Sequence, residues 1–346
     1  MEIRIAFIGL GERGRTALQL MLPVTGARVV ALCDAQSANV EAAAGLCASG
    51  TVRCYSGPEA FREVCRCMDI DLVYICSDWA SHAVIALEAM RCGKHAAVEV
   101  PAATTLDELW QLVRTSRETD RHCFLLENCC YDPALQQAIS DIRAGSLGEP
   151  VHAEGSYYHH LGDRWSAWRL EMNRRQRGDL YPTHELAPLC MALGIGPSFA
   201  IEGQQPDRLQ TLVCMDSAPF SGAAVYEQQT GHRVTDFQNG DHTVTLIRTA
   251  RGRTILLKHD VLTEQPYQRL FSVIGTRDAV TITDNGACSH AELTTRMNER
   301  LIHQLIHHQP LDWDVTDLAA WCAVIPLTRL SIERGFMPVE FPDFTR

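Results

Sequence analysis

Short apolar runs alternate with helical patterns through the first third of the chain. Runs that are apolar at nearly every position are typical of strands buried on both faces of a parallel sheet covered by helices. The helical periodicity between them indicates repeated βαβ units. We therefore expect an α/β domain with a parallel sheet over residues 1–128. Its predicted strands are residues 3–8, 28–33, 71–76, 95–100 and 123–127, and its predicted helices run to Met21, over residues 83–92 and from Leu106.

The pattern changes in the second half, where apolar and polar residues alternate along longer runs. A helix is predicted over residues 133–144, and the turn-rich segment 145–150 follows it. The alternation favours strands with one buried face, paired antiparallel. We expect an α+β domain with a large, mainly antiparallel open sheet over residues 129–346. Apolar residues at helical spacing over residues 317–333 predict a C-terminal helix. This helix packs either within the second domain or on the first one. The predicted strands are residues 151–158, 211–215, 243–249, 254–261, 269–274 and 279–282.

A glycine motif follows the first predicted strand, with Gly9, Gly11, Arg13 and Gly14 in the pattern G-x-G-x-R-G. Between a strand and a helix, the first glycine permits a tight turn, the second lets a pyrophosphate approach the backbone, and the third lets the helix pack on the strand. The second strand ends at Asp34, whose carboxylate would bond a ribose 2′-hydroxyl and repel a 2′-phosphate. The motif predicts a Rossmann domain that binds NAD rather than NADP. The alternative for the glycines is a tight turn without a ligand.

Later strands of this domain also end in polar or bulky residues. Ligands of open α/β sheets bind beyond the carboxyl ends of the strands, so these residues are candidate cofactor contacts. Two of them have a structural alternative, as a packing residue for the Trp and a helix-start residue for the His. The candidates are Trp79, His82, Glu99, Val100 and Asn128.

The second domain carries aromatic rings together with one Arg and one His. Rings stack on the apolar faces of sugars, while phenol, imidazole and guanidinium groups bond hydroxyl groups. We therefore expect a carbohydrate substrate in this domain. The rings and polar groups that suit it lie at residues 157–160, 165–169 and 181–184 and at Tyr267.

The turn Tyr181-Pro182-Thr183-His184 is the most distinctive part of that set. Pro182 is predicted at the first position of a helix, where a missing N–H costs nothing. Tyr181 and His184 are three residues apart, so they share a helix face and can reach one small ligand. The alternative is a helix-terminal histidine with satisfied hydrogen bonds beside an aromatic packing residue.

Composition narrows the classes of function. A formal net charge of −11 argues against nucleic-acid binding. The chain starts directly with a strand, and no apolar run approaches the length of a membrane span, so we expect a cytoplasmic protein without a membrane partner. The 14 cysteines lack metal-ligand spacing, so we expect buried free thiols and no metal. Exposed sheet faces of such chains often pair, which favours a homo-oligomer. Four histidines are interpreted as solvated: His160, His303, His307 and His308.

Taken together, these motifs resemble the Gfo/Idh/MocA oxidoreductases, and more narrowly glycoside hydrolase family 109, the NAD-dependent α-N-acetylgalactosaminidases. The resemblance spans the whole chain, and the Tyr-Pro-Thr-His turn is its most specific part. It implies that Tyr157, Arg169, residues 181–184 and Tyr267 contact the sugar. It also implies that NAD is held by residues 11–14, Asp34, residues 79–82, Glu99, Val100 and Asn128.

The chain departs from that family in ways that bear on chemistry. The family usually continues the turn with Gly-Leu-Gly-Pro, whereas Glu185 here adds a carboxylate. Related oxidoreductases use a Lys where this chain has Val100, so the base must come from Tyr157, Tyr181 or His184. We expect an NAD-dependent glycosidase that works by oxidation at C3, elimination, water addition and re-reduction. The alternatives are a sugar or cyclitol dehydrogenase, or a non-catalytic NAD-binding sensor.

Overall fold

The chain forms two compact units, seen in a computed structural model that describes residues 2–48, 50, 52–161, 165–200, 205–284 and 288–346. The first unit comprises Met1–Tyr131 and Ser289–Ala319, and the second comprises Asp132–Cys288 and Ala320–Arg346. Residues 289–319, which the sequence analysis placed in the second domain, thus belong to the first unit. An amphipathic stripe shows that a helix is buried on one side but not which domain it packs on.

The first unit contains a six-stranded sheet in which every neighbouring pair is parallel, in the order β3-β2-β1-β4-β5-β6. This order is that of a dinucleotide-binding sheet, with β1 and β4 on either side of the point where the connections change direction. The strands are β1 (Ile3–Ile8), β2 (Ala27–Asp34), β3 (Arg53–Ser56), β4 (Leu72–Ile75), β5 (His95–Val98) and β6 (Cys123–Leu125). The helices between them are α1 (Glu12–Met21), α2 (Ser37–Ala44), α3 (Ala60–Arg66), α4 (Trp79–Arg91) and α5 (Leu106–Thr119).

The predicted parallel α/β domain is confirmed, with differences at its edges. The edge strand β3 was not predicted because three of its four residues are exposed and it lacks a continuous apolar run. Helix α4 begins at Trp79, four residues before the predicted start at Ala83. It begins there because the Asp78 carboxylate accepts the backbone N–H of Ser81 at 3.0 Å, which caps the helix.

The second unit contains a seven-stranded sheet in the order β12-β11-β7-β10-β9-β8-β13. Its strands are β7 (Pro150–Tyr158), β8 (Leu209–Asp216), β9 (Thr243–Thr249), β10 (Thr254–Asp260), β11 (Gln268–Gly275), β12 (Ala279–Asp284) and β13 (Val339–Glu340). Its helices before β12 are α6 (Pro133–Arg143), α7 (Ala167–Arg175), α8 (Thr183–Leu193) and α9 (Gly222–Thr230). The large, mainly antiparallel sheet is confirmed. Strand β9 shows the expected alternation of buried and exposed positions.

One pair among the described strands of this sheet is parallel, so the sheet is mainly but not wholly antiparallel. Strands β7 and β10 run in the same direction, with Tyr157 opposite His259. The two strands are about a hundred residues apart, so no hairpin turn dictates their direction. The register forms a row across the buried face in which Thr243, His259, Tyr157 and Arg269 are neighbours.

The C-terminal helices are α10 (His290–Ile306), α11 (Val315–Cys322) and α12 (Val324–Glu333). The single helix predicted at 317–333 is interrupted at Ala323, which lies between α11 and α12. One segment of the described residues, Val315–Glu333, is long and apolar enough to span a membrane, but 83% of its apolar window is buried inside the protein. That burial accounts for its composition as a core segment.

Candidate functional site

The glycine motif leaves open space at the N-terminus of α1. Gly9 has a φ of +87°, and a Cβ there would lie 2.3 Å from the backbone nitrogen of Ser77. A Cβ on Gly14 would lie 1.9 Å from the Gly9 carbonyl oxygen, whereas a Cβ on Gly11 would meet nothing within 4 Å. The first and third glycines are therefore required by packing, and the second borders free volume. This geometry fits a pyrophosphate at the helix N-terminus.

Asp34 is held in place at the end of β2 by hydrogen bonds around the glycine turn. Its carboxylate accepts the backbone N–H of Leu10 at 2.6 Å and that of Gln36 at 2.9 Å. The side-chain amide of Asn39 donates to it at 3.1 Å. A carboxylate fixed beside the glycine loop is the group that a dinucleotide ribose requires.

Asp34→Asn is expected to weaken NAD⁺ binding about tenfold or more. It is also expected to reduce the ratio of the affinity for NAD⁺ to the affinity for NADP⁺. The amide keeps only one of the two oxygens that accept backbone N–H groups, and it loses the charge that strengthens a bond to the ribose and repels a 2′-phosphate. Calorimetric Kd values for both nucleotides measure the effect. Asp71→Asn is the matched control, since Asp71 pairs with Arg4 at 2.7 Å and not with the glycine loop. Equal loss in both variants would contradict the assignment.

Arg13 and Glu99 form an ion pair in the same unit, with 2.6 Å between the guanidinium and the carboxylate. Burial is the largest influence and lowers the pKa of Arg13, but Glu99, Tyr74 and Cys76 together outweigh it, and the pKa is raised. Thr294 on α10 accepts from Arg13 at 3.4 Å and from Asn128 at 2.9 Å. His290 also contacts the Asn128 amide, at 3.2 Å. Sequence reasoning missed Thr294 and His290, because α10 lies more than 150 residues after Asn128.

The other predicted cofactor contacts are buried within the first unit. Trp79 is 3% exposed and Val100 is also 3% exposed. Both ring nitrogens of His82 lie near backbone carbonyl oxygens, Nδ1 at 2.8 Å from Pro101 and Nε2 at 3.0 Å from Ser77. Burial lowers the pKa of His82. His82 therefore ties α4 to the end of β5, and its contact with NAD stays a prediction.

The predicted sugar-binding residues of the second unit converge around Tyr157. Its ring centroid lies 5.0 Å from His184, 5.9 Å from Tyr181 and 6.1 Å from Tyr267. The rings of Tyr181 and His184 are 4.8 Å apart and nearly perpendicular. The Tyr157 phenol also shares a hydrogen bond of 2.7 Å with Nδ1 of His159. Tyr157, Tyr181, His184 and Tyr267 thus form one group of neighbouring rings, which we call the aromatic cluster.

Arg169 joins this cluster from α7. Its guanidinium carbon lies 5.2 Å from the centroid of the Tyr181 ring and 5.6 Å from that of Trp168. Helix α8 begins at Thr183, so Pro182 occupies the N-cap and not the predicted first helical position. The shift is one residue and leaves Tyr181 outside the helix, so Tyr181 and His184 do not share a helix face as predicted. Their rings nevertheless meet across the turn. Thr183 is buried.

Three buried titratable residues support the cluster from behind, and sequence reasoning missed two of them, Asp179 and His259. The His259 ring stacks on Tyr157 at 6.2 Å, and its Nδ1 lies 3.7 Å from a carboxylate oxygen of Asp179. Glu185, the departure noted in the sequence, lies against Asp179. The alternation of Ile255, Leu257 and His259 along β10 was the available signal for His259.

The chain's two lysines lie outside the aromatic cluster. Lys258 is next to His259 in β10, and it pairs with Glu154 at 3.1 Å. Lys94 is buried at the start of β5, the opposite end of the strand from the predicted cofactor edge. All fourteen cysteines are free thiols. Burial raises the pKa of Cys33 to about 12, so this thiol stays protonated near neutral pH.

The four histidines interpreted as solvated are not all alike. His303, His307 and His308 are exposed, and the rings of the first two lie 4.4 Å apart. His160 is only partly exposed.

Two family models match the chain. The model described as "Oxidoreductase family, NAD-binding Rossmann fold" matches residues 3–126. The model described as "Glycosyl hydrolase 109, C-terminal domain" matches residues 148–291 and 281–346. The chain therefore combines an NAD-binding domain with a domain specific to one glycosidase family.

Solved structures with the same fold include two inositol dehydrogenases from Lactobacillus casei. The myo-inositol dehydrogenase, in complex with NAD(H) and myo-inositol, has a TM-score of 0.76 with 18% identity, and both chains are covered completely. The scyllo-inositol dehydrogenase, with bound NAD(H) and scyllo-inositol, has a TM-score of 0.78 with 14% identity, covering 98% of this chain and 99% of that one. At this identity the likeness concerns the fold.

Full-length relatives agree with the family models. "Glycosyl hydrolase family 109 protein 1" of Bacteroides thetaiotaomicron is 38% identical, covering 99% of this chain and 85% of the relative. "Glycosyl hydrolase family 109 protein" of Porphyromonas gingivalis is 39% identical with the same coverage. The chain thus belongs to glycosyl hydrolase family 109, as an NAD-dependent enzyme of the glycosidase and sugar oxidoreductase type.

Proposed function

We propose that this enzyme hydrolyses glycosides of an N-acetylhexosamine type by transient oxidation of the sugar at C3. The observation that carries the proposal is the aromatic cluster. Tyr181 and Tyr267 lie within 6.1 Å of Tyr157, and the imidazole of His184 packs on two of these three phenols. The family membership supports the same reaction class.

The aromatic cluster suits a sugar in its chemistry. Tyr181 and Tyr267 are partly exposed and offer both ring faces and hydroxyl groups. Arg169 is partly exposed as well and is fixed over the Tyr181 ring, so its N–H donors can bond sugar hydroxyl or carbonyl oxygens. Tyr157 and His184 are 4% and 3% exposed, which shields their protons from bulk water.

The reaction begins with loss of the C3 hydrogen as a hydride and of the C3 hydroxyl proton to a base. When bound, NAD⁺ supplies the acceptor for that hydride and later its source. His184 is the base we assign to the hydroxyl proton, because an imidazole exchanges protons near neutral pH without strong tuning. The resulting ketone acidifies the hydrogen on C2.

Elimination follows from that acidity. The proton taken from the C3 hydroxyl passes to the aglycone oxygen as the C1–oxygen bond breaks, so the aglycone leaves as an alcohol. Tyr157, or His184 once it is neutral again, takes the C2 proton, and a C1–C2 double bond forms. Water then adds across the double bond, with its oxygen at C1 and a proton at C2. Return of a hydride to C3 and a proton to its oxygen restores the alcohol. The sum is hydrolysis, without the paired carboxylates of ordinary glycosidases.

Hydrolysis of an α-N-acetylgalactosaminide in D₂O is expected to place deuterium at C2 of the released sugar. The C2 hydrogen leaves as a proton, and solvent supplies its replacement. NMR or mass spectrometry of the product measures the incorporation, and hydrolysis of the same glycoside by a conventional glycosidase provides the unlabelled control. A product without deuterium at C2 contradicts elimination. Stoichiometric NADH release from a free sugar would indicate a dehydrogenase instead.

A further inference from the structure

A buried group of titratable side chains lies behind the aromatic cluster and has no part in the steps above. Asp179, Glu185 and His259 are 1%, 2% and 4% exposed. They come from the segment before α8, from α8 itself and from β10. We refer to these three residues as the buried triad.

Asp179 is held in a fixed position. Its Oδ1 accepts the backbone N–H of Tyr181 at 3.0 Å and faces Nδ1 of His259 at 3.7 Å. Its own backbone N–H donates to the hydroxyl of Thr328 on α12 at 3.1 Å. An N–H donor and an imidazole nitrogen thus face the same carboxylate oxygen of Asp179.

The surroundings of Glu185 favour its neutral, protonated form. Burial raises its pKa well above the usual value, and the neighbouring carboxylate of Asp179 raises the pKa further. The backbone of Tyr157 lowers the pKa of Glu185, but by less than burial and Asp179 raise it. Helix α8 packs tightly on β7 here, since a Cβ on Gly155 would lie 2.8 Å from the Glu185 carbonyl oxygen. Two carboxyl groups in contact and out of water cannot both ionise, so the pair holds one proton.

We propose that Glu185 carries this proton, and that the acid–carboxylate pair it forms with Asp179 places a single negative charge against His259 and so behind Tyr157 and His184. The inference rests on the proposed function, because the negative charge matters only if an imidazole takes a proton during the reaction. An imidazole that takes a proton from the sugar becomes a cation in a buried place, and the Asp179 carboxylate offsets that charge. Glu185 and Asp179 are positioning residues, because they act through the rings in front of them.

Other charged groups of the second unit face His259 and do not replace Asp179. Burial lowers the pKa of His259, while Asp179 and Asp260 raise it and His242 and His184 lower it. The Asp260 carboxylate is already engaged by the backbone N–H groups of Leu262 and Thr263 at 3.0 and 2.9 Å. Asp179 is therefore the carboxylate whose charge is directed at the ring.

The first test measures His259 directly in the full-length protein, without catalysis. With ¹³C-labelled histidine, the His259 signal is assigned from its loss in His259→Gln and followed by NMR against pH. Asp179→Asn is expected to lower the pKa of His259 by about one unit or more, or to move its titration below the measurable range. Glu185→Gln exchanges one neutral hydrogen-bonding group for another, so the shift is expected to stay under about 0.3.

A large shift in the pKa of His259 in Glu185→Gln, with a small one in Asp179→Asn, would place the charge on Glu185 and overturn the proposal. An unchanged pKa of His259 in both variants would also overturn it. If Asp179→Asn does not fold, Glu185→Gln decides the matter alone, because a large shift in that variant contradicts a protonated Glu185.

The second test is the pH profile of kcat/KM for glycoside hydrolysis. In Asp179→Asn the acid limb is expected to move to lower pH by about the shift seen for His259, because a base without a nearby carboxylate stays neutral to lower pH. In Glu185→Gln the limb should coincide with that of the unsubstituted enzyme. Limbs that coincide in all three proteins contradict the proposal. If the unsubstituted enzyme hydrolyses no glycoside, the proposed function fails, and the NMR titration still judges the triad.

Discussion

His184→Gln is expected to lower kcat for glycoside hydrolysis by about 10²–10⁴-fold, the usual contribution of a positioned acid–base group. Gln keeps a polar group of similar reach at the start of α8 but cannot exchange a proton near neutral pH. His184 is 3% exposed and packs on Tyr157 and Tyr181, so no water-borne base replaces it easily. The kcat and KM values for a chromogenic α-N-acetylgalactosaminide, with NAD⁺ saturating, measure the effect.

His152→Gln is the matched control, because His152 lies on β7 but bonds Thr254 at 2.8 Å, away from the aromatic cluster. Its kinetic constants should stay within about twofold of the unsubstituted enzyme, as for other substitutions away from the reacting groups. Tyr157→Phe separates the two candidate bases. If that variant loses hydrolysis while His184→Gln retains it, the phenol is the essential base and our assignment is wrong.

Gly14→Ala is expected to destabilise the first unit by roughly 3 kcal/mol, the upper end for overpacking. The added Cβ would lie 1.9 Å from the Gly9 carbonyl oxygen, which is backbone and cannot rotate away. Helix α1 must therefore separate from β1, and NAD⁺ binding is lost with the turn. Thermal unfolding with and without NAD⁺ measures both effects.

Gly11→Ala is the companion variant, and it separates packing from ligand binding. Gly11 has a φ of −60° and nothing within 4 Å of its would-be Cβ, so the free protein should keep its stability. The methyl group occupies the space through which a pyrophosphate approaches, so NAD⁺ affinity should fall more than tenfold. An unchanged NAD⁺ affinity in Gly11→Ala would show that the phosphates bind elsewhere.

Local chemistry made the first unit predictable. A strand that is buried on both faces is apolar at every position, and a turn beside a dinucleotide needs glycine where a Cβ would collide. Gly9, Gly14 and Asp34 could therefore be placed from neighbouring residues alone. Pro182 likewise indicated the start of α8 to within one residue, because a proline fits at a helix start.

Contacts between distant segments were not predictable in this way. The parallel pairing of β7 with β10 joins segments about a hundred residues apart, and Thr294 reaches Asn128 across 166 positions. The hydrophobic pattern specifies which face of a strand is buried but not its neighbour or direction. The pattern along β10 therefore places His259 on the buried face but does not show which residues it contacts.

The sequence by itself thus determined the two sheet types, the glycine turn with its acidic partner, and the aromatic and imidazole groups that suit a sugar. Only the tertiary structure decided that His259 stacks on Tyr157, that Asp179 faces it, and that Glu185 meets Asp179 in a buried pair. The physical reason is that the charge state of a buried group depends on burial and on neighbours brought together by folding. Neither quantity is contained in the spacing of residues along the chain.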